Sequence, residues 1–203
     1  MKKVLCFGDS NTFGFNPTNG SRLNKTSRWT GILQNLCKNN FQIVEAGCNN
    51  RTAFCENPAG KIFMGHKILP DLLTNDLDII ILAIAINDLQ FQYNVTLDEI
   101  KNGVSDLIQI VRNKLPNAKI ILISPPELTS NVLHSPIFST LFDKTSIEKS
   151  KYLPEIYSKI AKNFKCDFID LNGIAEPSTI DGLHFEPTEH EKIAKEIFKH
   201  LIN

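Results

Sequence analysis

The alternation of short apolar runs with helix-period segments predicts an α/β protein, a parallel β-sheet with helices on both faces. Two observations carry this reading. Five apolar runs are separated by amphipathic stretches, the signature of repeated β-α units. The third run, Ile79-Ile80-Ile81-Leu82-Ala83-Ile84, is apolar at every position, as a strand covered on both faces requires.

Taken in order, strands are expected at residues 3–7, around Val4-Leu5-Cys6-Phe7, then at 41–46, 78–85, 119–124 and 167–171. Helices are expected near 29–39, 61–74, 97–115, 147–164 and 188–202. Two of them begin with a capping-box pattern, Thr96 with Glu99 and Thr188 with Glu191. Pro116 closes the third helix, and Pro125-Pro126 ends the fourth strand. Residues 125–146 lack periodicity and contain Pro136, Phe138 and Phe142. So long a loop is a candidate lid or oligomer arm. No repeat or linker interrupts the chain, so residues 1–203 are expected to form one domain.

Bulk composition narrows the function classes. The chain has 22 Lys+Arg and 22 Asp+Glu, a formal net charge of zero, with 42% hydrophobic residues. No basic stripe points to nucleic acid, and no run reaches the ~18 apolar residues of a membrane span. The apolar stretch after Lys2-Lys3 is shorter than a secretory core of ~7–15 residues. Five scattered cysteines without Cys-x-x-Cys spacing suit reduced thiols in the cytoplasm.

Chemistry-bearing residues fall at strand exits. Ser10 follows the first strand in Phe7-Gly8-Asp9-Ser10-Asn11, Gly47 follows the second, Asn87-Asp88 the third, and Asp181-Gly182-Leu183-His184 comes after the fifth. Parallel strands place their C-terminal ends on one edge, so these residues can share one crevice. Acyl transfer needs a nucleophile, a base, a group that orients the base and donors for the oxyanion. Ser10 suits the first role, His184 the second and Asp181 the third. The Ser10 N–H, the Gly47 N–H and the Asn87 carboxamide suit the fourth.

Phe-Gly-Asp-Ser-Asn, Ala46-Gly47, Asn87-Asp88 and Asp181-Gly-Leu-His184 together resemble the four blocks of the SGNH (GDSL) hydrolase family, across essentially the whole chain. Arg28-Trp29-Thr30-Gly31 and Ser124-Pro125-Pro126 bring it nearest the small bacterial arylesterase and acyltransferase-like members. The resemblance implies a three-layer α/β/α, flavodoxin-like, doubly wound parallel five-stranded sheet. It also implies a cofactor-free, metal-free Ser10-His184-Asp181 mechanism on small, short-chain acyl esters. Carried over by position, Ser10, Gly47 and Asn87 are the oxyanion donors. Close relatives form oligomers, which implies a homo-oligomer here. Two residues depart from the pattern: Ala85 stands where glycine is usual, and Asn50 where a small residue is usual. Both bear on the shape of the pocket.

The remaining residues are weighed against plainer roles. Asp9, beside a helix start, is read as a structural brace. Asn11, Trp29 and Phe138 are candidates for the substrate pocket, although Trp29 equally suits packing against the sheet. His184, Glu186 and His190 lack metal-ligand spacing, and His66, His134 and His200 are read as surface or packing residues. Cys48, next to Gly47, is read as a filler residue. Two alternatives share the site: carbohydrate O-deacetylation or acyl transfer by the same triad, and a flavodoxin-like module that binds without turnover.

Overall fold

In the computed structural model, residues 1–202 are described. Five parallel strands, β1 (Lys2–Gly8), β2 (Phe41–Gly47), β3 (Ile79–Ala83), β4 (Lys119–Ser124) and β5 (Asp167–Asp170), form one sheet in the order β2-β1-β3-β4-β5. The α-helices are α1 (Ser10–Phe13), α2 (Trp29–Cys37), α3 (Gly65–Leu72), α4 (Leu97–Lys114), α5 (Lys144–Ser150), α6 (Leu153–Phe164) and α7 (Pro187–Ile202).

Strand residues alternate between two cores. Leu5, Phe7, Ile80, Leu82, Ile120 and Leu122 face one, with α3, α4 and α6. Val4, Cys6, Ile79, Ile81, Ile121 and Ile123 face the other, with α2 and α7. Each face removes a continuous apolar layer from water, which is the main force holding the layers together.

Strand order decides where a site can form. The chain steps from β1 outward to β2, then returns past β1 to β3 and continues the other way. The crevice at the carboxyl ends of β1 and β3 is therefore the topological switch point of the sheet. Ser10 leaves β1 there and Asn87 follows β3.

Several boundaries differ from the sequence reading, each for a local reason. The 61–74 helix is a 3-10 turn at Lys61–Phe63 followed by α3, because Met64 between them takes an extended backbone. The 147–164 helix is two helices, with Pro154 in the first turn of α6. The first of these, α5, starts early because the Asp143 carboxylate caps the Ser146 N–H at 2.8 Å. The Thr96–Glu99 capping box forms, whereas the Thr188–Glu191 box does not. Pro187 takes the first helical position of α7, which its fixed φ suits, and leaves Thr188 inside the helix. The segment 125–146 contains 3-10 turns at Ser130–Leu133 and Phe138–Thr140. It is anchored by Leu128, Val132 and Phe142, all fully or nearly buried. Among the described residues, no helix is long and apolar enough to cross a membrane.

Candidate active site

Ser10 is the first residue of α1, separated from the end of β1 by Asp9 alone. The Asp9 carboxylate caps this helix by accepting the Asn11 N–H at 2.9 Å, which fixes the turn that carries the serine. Burial pushes the Asp9 carboxyl up to about 7, against the opposing pull of the Asn11 N–H and of Arg51.

His184 and Asp181 arrive on a tight turn before α7. Asp181 Oδ1 accepts the main-chain N–H groups of Leu183 at 3.0 Å and His184 at 2.9 Å, and Gly182 takes φ +69°. The second carboxylate oxygen is then free to meet His184 Nδ1 at 2.8 Å. A carboxylate only accepts, so the ring proton sits on Nδ1 and the lone pair on Nε2. That lone pair faces Ser10 Oγ at 2.8 Å, and the serine hydroxyl is the donor. Burial works against the Asp181 carboxylate, but the His184 ring and the two N–H groups outweigh it and hold its pKa below the usual range.

Asn87 opens a 3-10 turn, Asn87–Leu89, just after β3. Its Nδ2 donates to the Arg51 carbonyl at 3.0 Å and its Oδ1 accepts from Gln90 Nε2 at 3.2 Å. One N–H of the carboxamide is left uncommitted. The next residue, Asp88, is buried and accepts three successive main-chain N–H groups, from Ala53, Phe54 and Cys55. Arg51 links the strand ends by donating Nη1 to the carbonyls of Gly8 and Ala46. Gly47 is required by close approach: a Cβ there would lie 2.2 Å from the Phe13 nitrogen. The Ala85 methyl is accommodated at a cost, since that residue is held at φ +94°, where glycine is favoured. Asn50, the other departure, also takes a positive φ, which asparagine tolerates.

A cleft of about 250 Å³ opens over Ser10 and His184. Asn49, Asn50 and Asn87 contribute its polar lining, and Phe15, Ile137, Phe138, Leu141 and Leu183 its apolar lining. The His184 ring lies between two phenyl rings, with centroids 4.2 Å from Phe15 and 5.0 Å from Phe138. Of the three candidate pocket residues, Phe138 lines the cleft. Asn11 and Trp29 do not. Trp29 is buried and donates its indole N–H to the Asn11 carbonyl at 3.1 Å, while Asn11 Nδ2 reaches the Leu183 carbonyl at 3.3 Å. These two tie α1 and α2 to the turn that carries His184. Phe15, Asn49 and Gln90 went unread in the sequence, because nothing local marks an isolated Phe or amide as facing a site.

The other histidine near the site is structural. His190 is buried, and its Nδ1 accepts the Trp29 N–H at 3.3 Å. Burial, with a smaller effect from His184, pushes its pKa down to about 3, so it stays neutral. Glu186 accepts from Ser178 Oγ at 2.8 Å. Among the described residues, no cluster of three or more His, Cys, Asp or Glu could hold a metal ion.

Comparison with known proteins agrees with this fold. The structure of the inhibitor-bound aryl esterase of M. smegmatis superposes with a TM-score of 0.92 at 26% identity, covering 100% of this chain and 99% of that one. Est24, a carbohydrate acetylesterase from Sinorhizobium meliloti, superposes with a TM-score of 0.91 at 28% identity, again over 100% and 99%. A search of curated proteins gives no match. The model of the GDSL-like Lipase/Acylhydrolase family matches residues 6–192, nearly the whole chain, and the chain belongs to that family.

Proposed function

We propose that this protein is a serine esterase that hydrolyses small, short-chain acyl esters through an acyl-enzyme. The observation that carries the reading is the continuous hydrogen-bonded line Ser10 Oγ–His184 Nε2 and His184 Nδ1–Asp181 Oδ2, each link 2.8 Å, at the floor of a cleft. In this reading His184 takes the Ser10 proton as Oγ bonds to the ester carbonyl carbon. The proton then passes to the departing alkoxide oxygen. Water repeats the cycle on the acyl-enzyme and releases the acid. Asp181 stays ionised throughout, which stabilises the imidazolium. The Ser10 N–H, the free Asn87 N–H and the Gly47 N–H are the proposed oxyanion donors, and Asp9 braces the turn.

Cleft size supports small substrates, since about 250 Å³ lies below the usual range for drug-sized ligands. Carbohydrate O-deacetylation is the second reading, favoured by Asn49 and Asn50 on the cleft lining and by the likeness to Est24. Five unpaired cysteines support a reducing, cytoplasmic setting. The exposed Ile137 at the cleft supports a homo-oligomer, which sedimentation would count.

The test is hydrolysis of p-nitrophenyl esters from acetate to octanoate by wild type and Ser10→Ala. The expected result is turnover on the shortest esters and a loss of roughly 10⁴-fold or more in the variant. Retained turnover in Ser10→Ala overturns the mechanism. Turnover on acetylated sugars alone moves the assignment to the second reading.

A further inference from the structure

The cleft has a polar edge whose order depends on a residue outside it. Asn87 and Gln90 are 4% and 1% exposed, buried side by side. One acceptor in their surroundings is unambiguous, the Arg51 main-chain carbonyl, which receives Asn87 Nδ2 at 3.0 Å. That bond orients the whole set. Asn87 Oδ1 is left to accept from Gln90 Nε2 at 3.2 Å, and the other Gln90 hydrogen goes to Asn50 Oδ1 at 2.8 Å. Gln90 Oε1 accepts in turn from Gln92 Nε2 at 3.0 Å. Both donor hydrogens of Gln90 are thereby used. The donors that remain are the second N–H of Asn87 and the Nδ2 of Asn50, and both residues line the cleft.

We infer that Gln90 is a positioning residue for ester cleavage, one that fixes which end of two carboxamides faces the cleft. An Asn side chain presents either an N–H or a carbonyl oxygen according to a half-turn of its terminal bond. Only the N–H end stabilises the oxygen that gains charge when Ser10 attacks. The carbonyl end repels it. Gln90 adds to the Arg51 carbonyl in opposing that half-turn at Asn87, and opposes it at Asn50 as well, because it offers only hydrogens to both. Preorganised donors of this kind act most strongly in a site closed to water. The role rests on the serine esterase reading, in which Asn87 is an oxyanion donor.

The test uses Gln90→Met, which keeps the length of the side chain and removes its donors. Hydrolysis of p-nitrophenyl acetate is measured for wild type, Gln90→Met, Asn87→Ala and the double variant, with thermal melts of each. Gln90→Met is expected to lower kcat at least about tenfold with KM changed less than about twofold, because the interaction is made in the transition state. Asn87→Ala is expected to lose ~10²–10³-fold, and the double variant to lose no more than Asn87→Ala alone. An unchanged kcat in Gln90→Met overturns the inference, as do losses that multiply in the double variant. Should Gln90→Met fail to fold, Gln90→Glu serves instead. Assayed at a pH where the introduced carboxyl is ionised, it offers acceptors only and turns the Asn87 N–H groups away from the cleft, so a full kcat there overturns the inference equally. Ser10→Ala assayed alongside separates the two levels. Activity in Ser10→Ala overturns the esterase mechanism itself, whereas an inactive Ser10→Ala with a fully active Gln90 variant overturns only the role of Gln90.

Discussion

Asp9 and Ala85 are both held in states that their residue types resist. Asp9 titrates near 4 in an unfolded chain but at about 7 in the fold, because burial disfavours its charge. Between those values the folded state binds the extra proton. Its contribution to stability is therefore fully present below pH 4 and is lost as pH rises to 7, at about 1.4 kcal/mol per unit. Asp9→Asn keeps an acceptor for the Asn11 N–H and removes the titration. Denaturant unfolding across pH 4–8 should show wild type losing stability relative to Asp9→Asn up to pH 7, with no further change above it. A constant difference between the two would mean that Asp9 is ionised in the fold. Ala85, at φ +94°, carries backbone strain of about 1–3 kcal/mol. Ala85→Gly should be neutral or stabilising, whereas Ala194→Gly inside α7 should cost about 1 kcal/mol or more. Thermal melts of the two variants compare them directly.

At the scale of elements, the site depends on connections between segments that are distant in sequence. Tyr157 of α6 is fully buried and donates its hydroxyl to the Ile84 carbonyl at 2.6 Å, pinning the exit of β3 one residue before Ala85. Tyr157→Phe leaves that carbonyl without the bond, so a loss of about 1–3 kcal/mol in unfolding free energy is expected. The Asp181–His184 turn is held in a similar way, since the Gly182 carbonyl accepts the Thr129 N–H at 3.1 Å. A Cβ on Gly182 would meet Thr129 Oγ1 and the Val132 nitrogen at 2.6 Å, at a φ that L residues avoid. Gly182→Ala should therefore lower both the melting temperature and kcat by displacing His184. An unchanged kcat would show that the turn tolerates the shift.

At the scale of the molecule, one edge of the sheet assembles a cleft from pieces scattered between Ser10 and His184. The segment 125–146 supplies part of its apolar lining through Ile137, Phe138 and Leu141, while Phe142 roots that segment in the core. Cleft volume should then set chain length. Leu141→Ala is expected to raise kcat/KM for the hexanoate and octanoate esters relative to acetate, by roughly tenfold for the methylenes newly accommodated. An unchanged acetate-to-octanoate ratio would show that Leu141 does not limit the acyl pocket.

Much of this was legible in the chain itself. Unbroken apolar runs mark strands buried on both faces, and their alternation with helical periods leaves few topologies besides a parallel sheet. The four motif blocks name Ser10, Gly47, Asn87, Asp181 and His184, because chemistry restricts residue type at each. The partners that only the folded chain brings together carry no such mark. Phe15 and Phe138 flank His184, Gln90 donates to Asn50, and Trp29 lies in the core instead of the cleft, through contacts between residues far apart in sequence. Local pattern records whether a side chain is apolar and how often such residues recur. It does not record which distant surface will cover that side chain. The sequence by itself determined the layered α/β frame and the groups proposed to react. Tertiary structure decided the orientation of those groups, the lining of the cleft and the strain at Ala85, because hydrogen-bond direction and packing exist only once the strands stand side by side.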